Sequence, residues 1–130
     1  MLSIFSRIIA GEIPCYKIAE NEHFIAFLDV SPLKKGHTLV VPKKEVDYIF
    51  DLDNTAYNGL MAFAKETAIA IKKAIPCNRI GMTVVGLEVP HAHIHLIPIN
   101  SANDMNFSNE KLQLAKHEFE EISGKIKQFI

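Results

Sequence analysis

Apolar residues recur along this chain with two different periods, and the switches between them outline its elements. Ile4, Phe5, Ile8 and Ile9 follow Ser3 at helical spacing and stop at Gly11, which predicts a short helix over Ser3 to Ala10 capped by the serine. Pro14 opens an extended segment, Cys15 to Ala19. Glu20-Asn21-Glu22 turns the chain back, and His23 to Val30, rich in Phe and Ile, reads as a second strand. The loop Ser31 to Gly36 carries Pro32 and leads to a third strand, His37 to Val41, closed by Pro42. Leu60, Phe63, Ala64, Ile71 and Ile75 then recur on one helical face, with Lys65, Glu66, Lys72 and Lys73 on the other. A long helix over Thr55 to Ile75 is expected, capped by Asp53 or Asn54 and ended by Pro76.

Two further strands follow, Ile80 to Val85 and His93 to Ile99, with Gly86 to Pro90 between them. Leu112, Ala115, Phe119, Ile122, Ile126 and Phe129 are alternately three and four residues apart, which predicts a second long helix over Asn109 to Phe129. Its narrow seam suits packing within the fold or across a dimer. The order is helix, three strands, helix, two strands, helix. Strands and helices do not alternate regularly, so an antiparallel α+β domain is expected in place of a parallel doubly wound one.

Composition narrows the function classes. The 130 residues fit one domain, and 48% apolar content is enough for a core. A formal net charge of −1 supplies no field for gripping long nucleic acid, so any phosphate must be held locally. No run approaches the roughly 20 apolar residues of a membrane span. The first ten residues have Arg7 inside their apolar stretch and no small-residue cleavage site, unlike a signal peptide. Cys15 and Cys77 are widely separated; reduced thiols in a cytoplasmic protein are expected, a single disulfide being the alternative.

The chemistry gathers at the histidines. Three of the six stand at 91, 93 and 95, and alternation along a strand puts their imidazoles in a row on one face. Ala92, Ile94 and Leu96 fall on the other face, which should pack beneath the helices. One reading is a solvated polar strand face. A second is a metal site, because two histidines at i and i+2 can chelate zinc if His37 or another residue completes the set. A third is nucleophilic catalysis. A neutral imidazole can attack phosphorus, and neighbouring rings would lower each other's pKa by repulsion and donate hydrogen bonds to the phosphate oxygens. The central ring, His93, with a neighbour on each side, is the natural nucleophile.

Val89-Pro90-His91-Ala92-His93-Ile94-His95-Leu96-Ile97-Pro98 resembles the His-x-His-x-His signature of the histidine triad (HIT) family. Ile4 to Pro14 is similar to the family's opening helix, and Phe27 to Pro32 with Gly36 to Lys43 resembles its central region. The likeness spans about residues 3 to 99, closest to the Hint-like branch of purine nucleotide phosphoramidases. It implies a HIT-like fold: a five-stranded antiparallel sheet with a long central helix, here followed by a C-terminal helical extension from about residue 108. It implies His93 as the nucleophile that takes AMP or GMP, flanked by His91 and His95, with His37 as a supporting fourth histidine. Asp29, with Val30 beside it, would bind the ribose hydroxyls, although an aspartate before Ser-Pro is also an ordinary turn residue. Phe5, Ile8, Ile13 and Phe27 would wall the base. His95, where nucleotidyltransferase relatives carry Gln, favours a hydrolase. The resemblance further implies a homodimer joined sheet edge to sheet edge, with no cofactor or metal in the reaction.

Three departures stand out. Many bacterial relatives hold a structural zinc through residues that are here Ser3, Ser6 and Glu45, so that zinc is not expected. The phosphate-binding stretch before the triad is shortened to Gly86-Leu87-Glu88, and a carboxylate beside phosphate is unfavourable unless turned away or protonated. The long tail replaces a short Trp-containing C-terminus. These leave a nucleotide-binding module with little turnover as an alternative to the hydrolase.

Overall fold

A computed structural model describes residues 2–130. Helix α1 (Ile4–Ile9) begins at Ser3, whose hydroxyl accepts the Ser6 N–H. Strands β1 (Lys17–Glu20), β2 (Phe24–Leu28) and β3 (Thr38–Pro42) follow, then α2 (Asn54–Ala74), β4 (Arg79–Thr83), β5 (Ile94–Ile99) and α3 (Lys116–Lys127). The sheet runs β1-β2-β3-β5-β4, antiparallel throughout. This is the expected α+β architecture, with boundaries displaced by one to a few residues. Asp53 is the cap of α2, accepting the Ala56 N–H.

The pleat separates two apolar layers. Ala26, Leu28, Val40, Ile94 and Leu96 face α2 and α3 in the main core with Leu60, Phe63 and Ile71. Ile25, Phe27, Leu39 and Val41 point the other way and meet Phe5 of α1 in a smaller cluster. Gly36 lies against the C-terminal end of α2 and against β5. Its φ is +92°, and a Cβ there would come within 3.1 Å of the Ile75 and Pro98 side chains, so glycine is what allows the tight turn into His37.

The tail departs from its expected helix. Only Lys116–Lys127 is helical; residues 109 to 115 run in irregular conformation. The seam period did extend to Leu112, but the Leu112 N–H donates to the Pro32 carbonyl and the Ala115 N–H is capped by the Glu118 carboxylate, which starts the helix late. Within α3 the seam is real: Phe119, Ile122 and Ile126 enter the main core, and Phe119 stacks on Tyr16 with ring centroids 4.8 Å apart. Phe129, the seam's last member, is 46% exposed. Both cysteines are free thiols. Among the described residues no helix is long and apolar enough to cross a membrane.

Candidate functional site

The histidine segment does not begin as a strand. β5 starts at Ile94, and the chain before it is held irregularly, with the Ala92 N–H on the Val46 carbonyl and the His91 N–H on the Val89 carbonyl. Alternation nevertheless persists. Ala92 and Ile94 enter the main core while His93 and His95 lie on the α1 side, where the Phe5 ring meets that of His93 edge-on at 5.0 Å. His93 Nδ1 is 2.8 Å from the His91 carbonyl. A carbonyl can only accept, so Nδ1 carries the hydrogen, and the neutral form of the ring has its lone pair on Nε2. That nitrogen has no protein partner, and no buried side-chain N or O among the described residues is unpaired, so Nε2 is open to the site.

A second chain of hydrogen bonds fixes His95. The Leu33 N–H donates to His37 Nδ1 at 3.0 Å, which requires His37 Nε2 to carry the hydrogen. His37 Nε2 then donates to His95 Nδ1 at 2.9 Å, leaving His95 Nε2 protonated and without a protein partner. Both rings are buried and neutral at physiological pH. Burial, followed by the charge of His95, pushes His37 down to about 3; burial, followed by the charge of His93, pushes His95 down to about 4. Desolvation thus leads over the mutual repulsion expected from the row of rings. The ring packing also differs from that row. His93 touches His95 with centroids 4.9 Å apart, and His95 is followed by His37 at 5.2 Å.

His91 faces elsewhere. Its Nε2 donates to the Pro42 carbonyl at 2.7 Å, and its Nδ1 accepts from the Ser3 hydroxyl at 2.7 Å. Glu45 accepts from the Ser3 N–H and the Ser6 hydroxyl, and these donors, the backbone N–H first, hold its carboxyl down at about 2. His91 therefore meets His93 through its backbone carbonyl and not as a flanking ring. Ser3, Ser6, Glu45 and His91 do converge, but as a hydrogen-bonded cluster. Two hydroxyls, a carboxylate and one imidazole fall outside the Cys/His sets of structural zinc sites.

Asp29 carries both of its expected characters. Its Oδ1 accepts the Ser31 N–H at 2.8 Å, as in a turn, and its Oδ2 lies 3.6 Å from His37 Nε2. Burial raises its pKa, opposed by the Ser31 N–H and then by the charges of His93 and Lys111. Asp29, His37 and His95 bring potential ligand atoms within 4.8 Å of one another. The Leu33 N–H, however, commits His37 Nε2 to a proton, so this arrangement offers hydrogen-bond donors where a metal needs lone pairs.

Of the expected base wall, Phe5 and Phe27 pack edge-on at 5.7 Å, Ile8 lies against them, and Ile13 is half-buried beyond α1. Val30 is exposed. Gly86 turns with φ +72°, Leu87 is 88% exposed and Glu88 is exposed, close enough to Asp29 for its charge to raise that carboxyl. Sequence reasoning missed the segment after β5. Phe107 lies edge-on to His95 at 4.9 Å and near His37 at 6.3 Å, and Lys111 follows it. Nothing in local periodicity marks Phe107, because its partner ring is brought to it only by the tertiary fold.

The model of the HIT domain matches residues 10–102, which include Asp29, His37 and the three histidines. The chain belongs to the HIT family. A HIT-like protein of Borreliella burgdorferi is 33% identical over 95% of this chain and 94% of its own length. The adenosine 5'-monophosphoramidase of Schizosaccharomyces pombe is 31% identical over 98% of this chain and all (100%) of its own. Among solved structures, a Hit-like protein from Bartonella henselae superposes with a TM-score of 0.86 at 29% identity, covering 98% of this chain and 96% of that one. The five-stranded antiparallel sheet with its helices is thus the HIT fold.

Proposed function

We propose that this HIT protein is a hydrolase that transfers a nucleoside monophosphate, AMP or GMP, from a phosphoramidate or phosphoanhydride to His93 and then to water. The observation that carries this reading is the tautomer of His93, with Nδ1–H held on the His91 carbonyl and the Nε2 lone pair open. In the first step Nε2 attacks phosphorus as the bond to the leaving group breaks; the electron pair departs with the leaving nitrogen or oxygen, which takes up a proton. In the second step water attacks the same phosphorus, gives up a proton, and the P–N electron pair returns to Nε2. His95 Nε2–H, kept in place by His37, donates to the phosphate oxygens as charge builds there. Asp29 Oδ2, beside Val30, accepts from ribose hydroxyls, and Phe5, Ile8, Ile13 and Phe27 line the base. Gly86, Leu87 and Glu88 border the leaving group. The scheme uses no cofactor and no metal, so EDTA should leave turnover intact.

We further read the chain as one domain acting in the cytoplasm as a homodimer, paired along the free edge of β4. The exposed Met82, Val84, Val85 and Leu87 on and after that strand support this. The deciding experiment compares His93→Ala with wild type on an adenosine phosphoramidate, where a loss of at least about a thousandfold in kcat is expected. Equal turnover would exclude His93 as nucleophile. A nucleotide-binding module with little turnover is the second reading, favoured by the Glu88 carboxylate near Asp29. Tight AMP binding without product from any leaving group would select it.

A further inference from the structure

The reaction scheme gives no task to Ser3, Ser6 and Glu45, yet their bonds end on the residue whose carbonyl holds His93 Nδ1–H. That carbonyl needs a support. His91 lies outside β5, which begins at Ile94, so no strand ladder fixes its backbone. Its fully buried ring fixes it instead, donating to the Pro42 carbonyl and accepting from the Ser3 hydroxyl, each at 2.7 Å. Pro42 belongs to the sheet, but Ser3 stands at the start of α1, a helix of six residues. So short a helix does not hold itself in water. Glu45 ties its first turn down: one carboxylate oxygen, Oε1, accepts the Ser3 N–H at 2.6 Å and the Ser6 hydroxyl at 2.7 Å. The loop after β3 also grips the histidine segment, because the Val46 carbonyl accepts the Ala92 N–H at 2.7 Å. It is thus a bracket, with α1 on one arm and the chain beside His91 and His93 on the other. The helix closes the bracket through Phe5, whose buried ring meets that of His93 edge-on at 5.0 Å and that of His91 at 5.8 Å. Ser3 serves twice with one oxygen, accepting the Ser6 N–H at 3.0 Å as a helix cap and donating to His91 Nδ1. His93 is held at Nδ1 by a carbonyl and against its ring by Phe5, and both supports depend on where α1 sits.

We propose that Ser3 and Glu45 are positioning residues for the nucleophile, acting through the ring of His91 and the seat of α1 to keep His93 in its Nδ1–H form. Neither touches the substrate. The kinetic consequence rests on the reading of His93 given above, whereas the tautomer is read without any substrate. The test combines nitrogen-15 NMR of the histidine rings, in mildly alkaline solution, with steady-state kinetics on an adenosine phosphoramidate. It compares wild type with Ser3→Ala, Ser3→Thr and Glu45→Ala, each well below its melting temperature. Signals missing from His93→Ala assign the His93 ring. In wild type the hydrogen of that ring should reside on Nδ1 alone. Ser3→Ala and Glu45→Ala should shift both ring nitrogens toward averaged values, the mark of exchange between tautomers. Their kcat should fall about tenfold, with a smaller change in KM. Ser3→Thr keeps the hydroxyl and should match wild type in both readouts. A residue that only stabilises α1 would lower the melting temperature and leave the His93 shifts and kcat unmoved. That result in either alanine variant removes the residue from the role, and a Ser3→Thr protein as impaired as Ser3→Ala overturns the part given to the hydroxyl. If wild type turns nothing over while the His93 tautomer still depends on Ser3 and Glu45, the positioning stands and the hydrolase reading falls.

Discussion

His91 and His95 stand at equal distances in sequence from His93, yet the fold gives them opposite work. Both ring nitrogens of His91 are used inside the protein, on Pro42 and Ser3, and its ring is completely buried. What it offers His93 is a backbone carbonyl. His95 uses one nitrogen on His37 and leaves the other as a donor toward the site. The difference arises from what each ring meets across the sheet. β3 ends at Pro42 with a carbonyl for His91, and begins just after His37, an imidazole for His95. A symmetric sequence motif thus becomes an asymmetric arrangement, one side fixing the tautomer of His93 and the other leaving an N–H directed toward the site.

The contrast can be broken by paired substitutions. His95→Ala should lower kcat by about a hundredfold to a thousandfold, the range for loss of a donor to developing charge. Its melting temperature should move less than that of the His91 variant. His91→Ala should do the reverse. It opens a cavity and strips partners from the Pro42 carbonyl and Ser3 hydroxyl, costing about 2–4 kcal/mol in denaturant unfolding, with a smaller drop in kcat. If His91→Ala proves the more damaging to kcat and the less damaging to stability, the division of labour is wrong.

Much of this was legible in the sequence, for reasons that differ by element. The long helix α2 and the facing of Ala92, Ile94 and Leu96 follow from period alone, since burial on one side leaves no other way to place those residues. Ser3 declared itself as a cap by residue type, and so did the pair Asp53 and Asn54, of which Asp53 takes the role. The partners of the histidines did not. The Leu33 N–H and the carbonyls of His91 and Pro42 are backbone groups, which exist at every residue and leave no mark in a sequence. Residues 109 to 115 depart from the expected helix because the seam continues through Leu112, while a tertiary bond to Pro32 and the local Glu118 cap at Ala115 decide the backbone. Phe107 meets His95 only because of the path the chain takes between β5 and α3.

A smaller effect should appear in the pH dependence of stability. His37, His95 and His91 all have pKa values lowered in the folded protein, by burial first. The unfolded chain therefore takes up protons near pH 6.5 that the folded chain refuses until about pH 4 at His95 and about 3 at His37. Stability is full above pH 6.5 and declines as pH falls through that window. Urea unfolding from pH 7 to 4 should register the decline, and His37→Phe should reduce its slope. A slope unchanged in that variant would mean that His37 does not resist protonation.

The most direct test of the account is the covalent state of His93 during turnover. Wild-type protein mixed with excess adenosine phosphoramidate, quenched in base within the first turnover and digested, should yield the peptide containing His93 with one added adenylate. The same peptide from His93→Ala should be unmodified. Rapid turnover by wild type with no adduct at any quench time, or an adduct placed on His91 or His95, would contradict it.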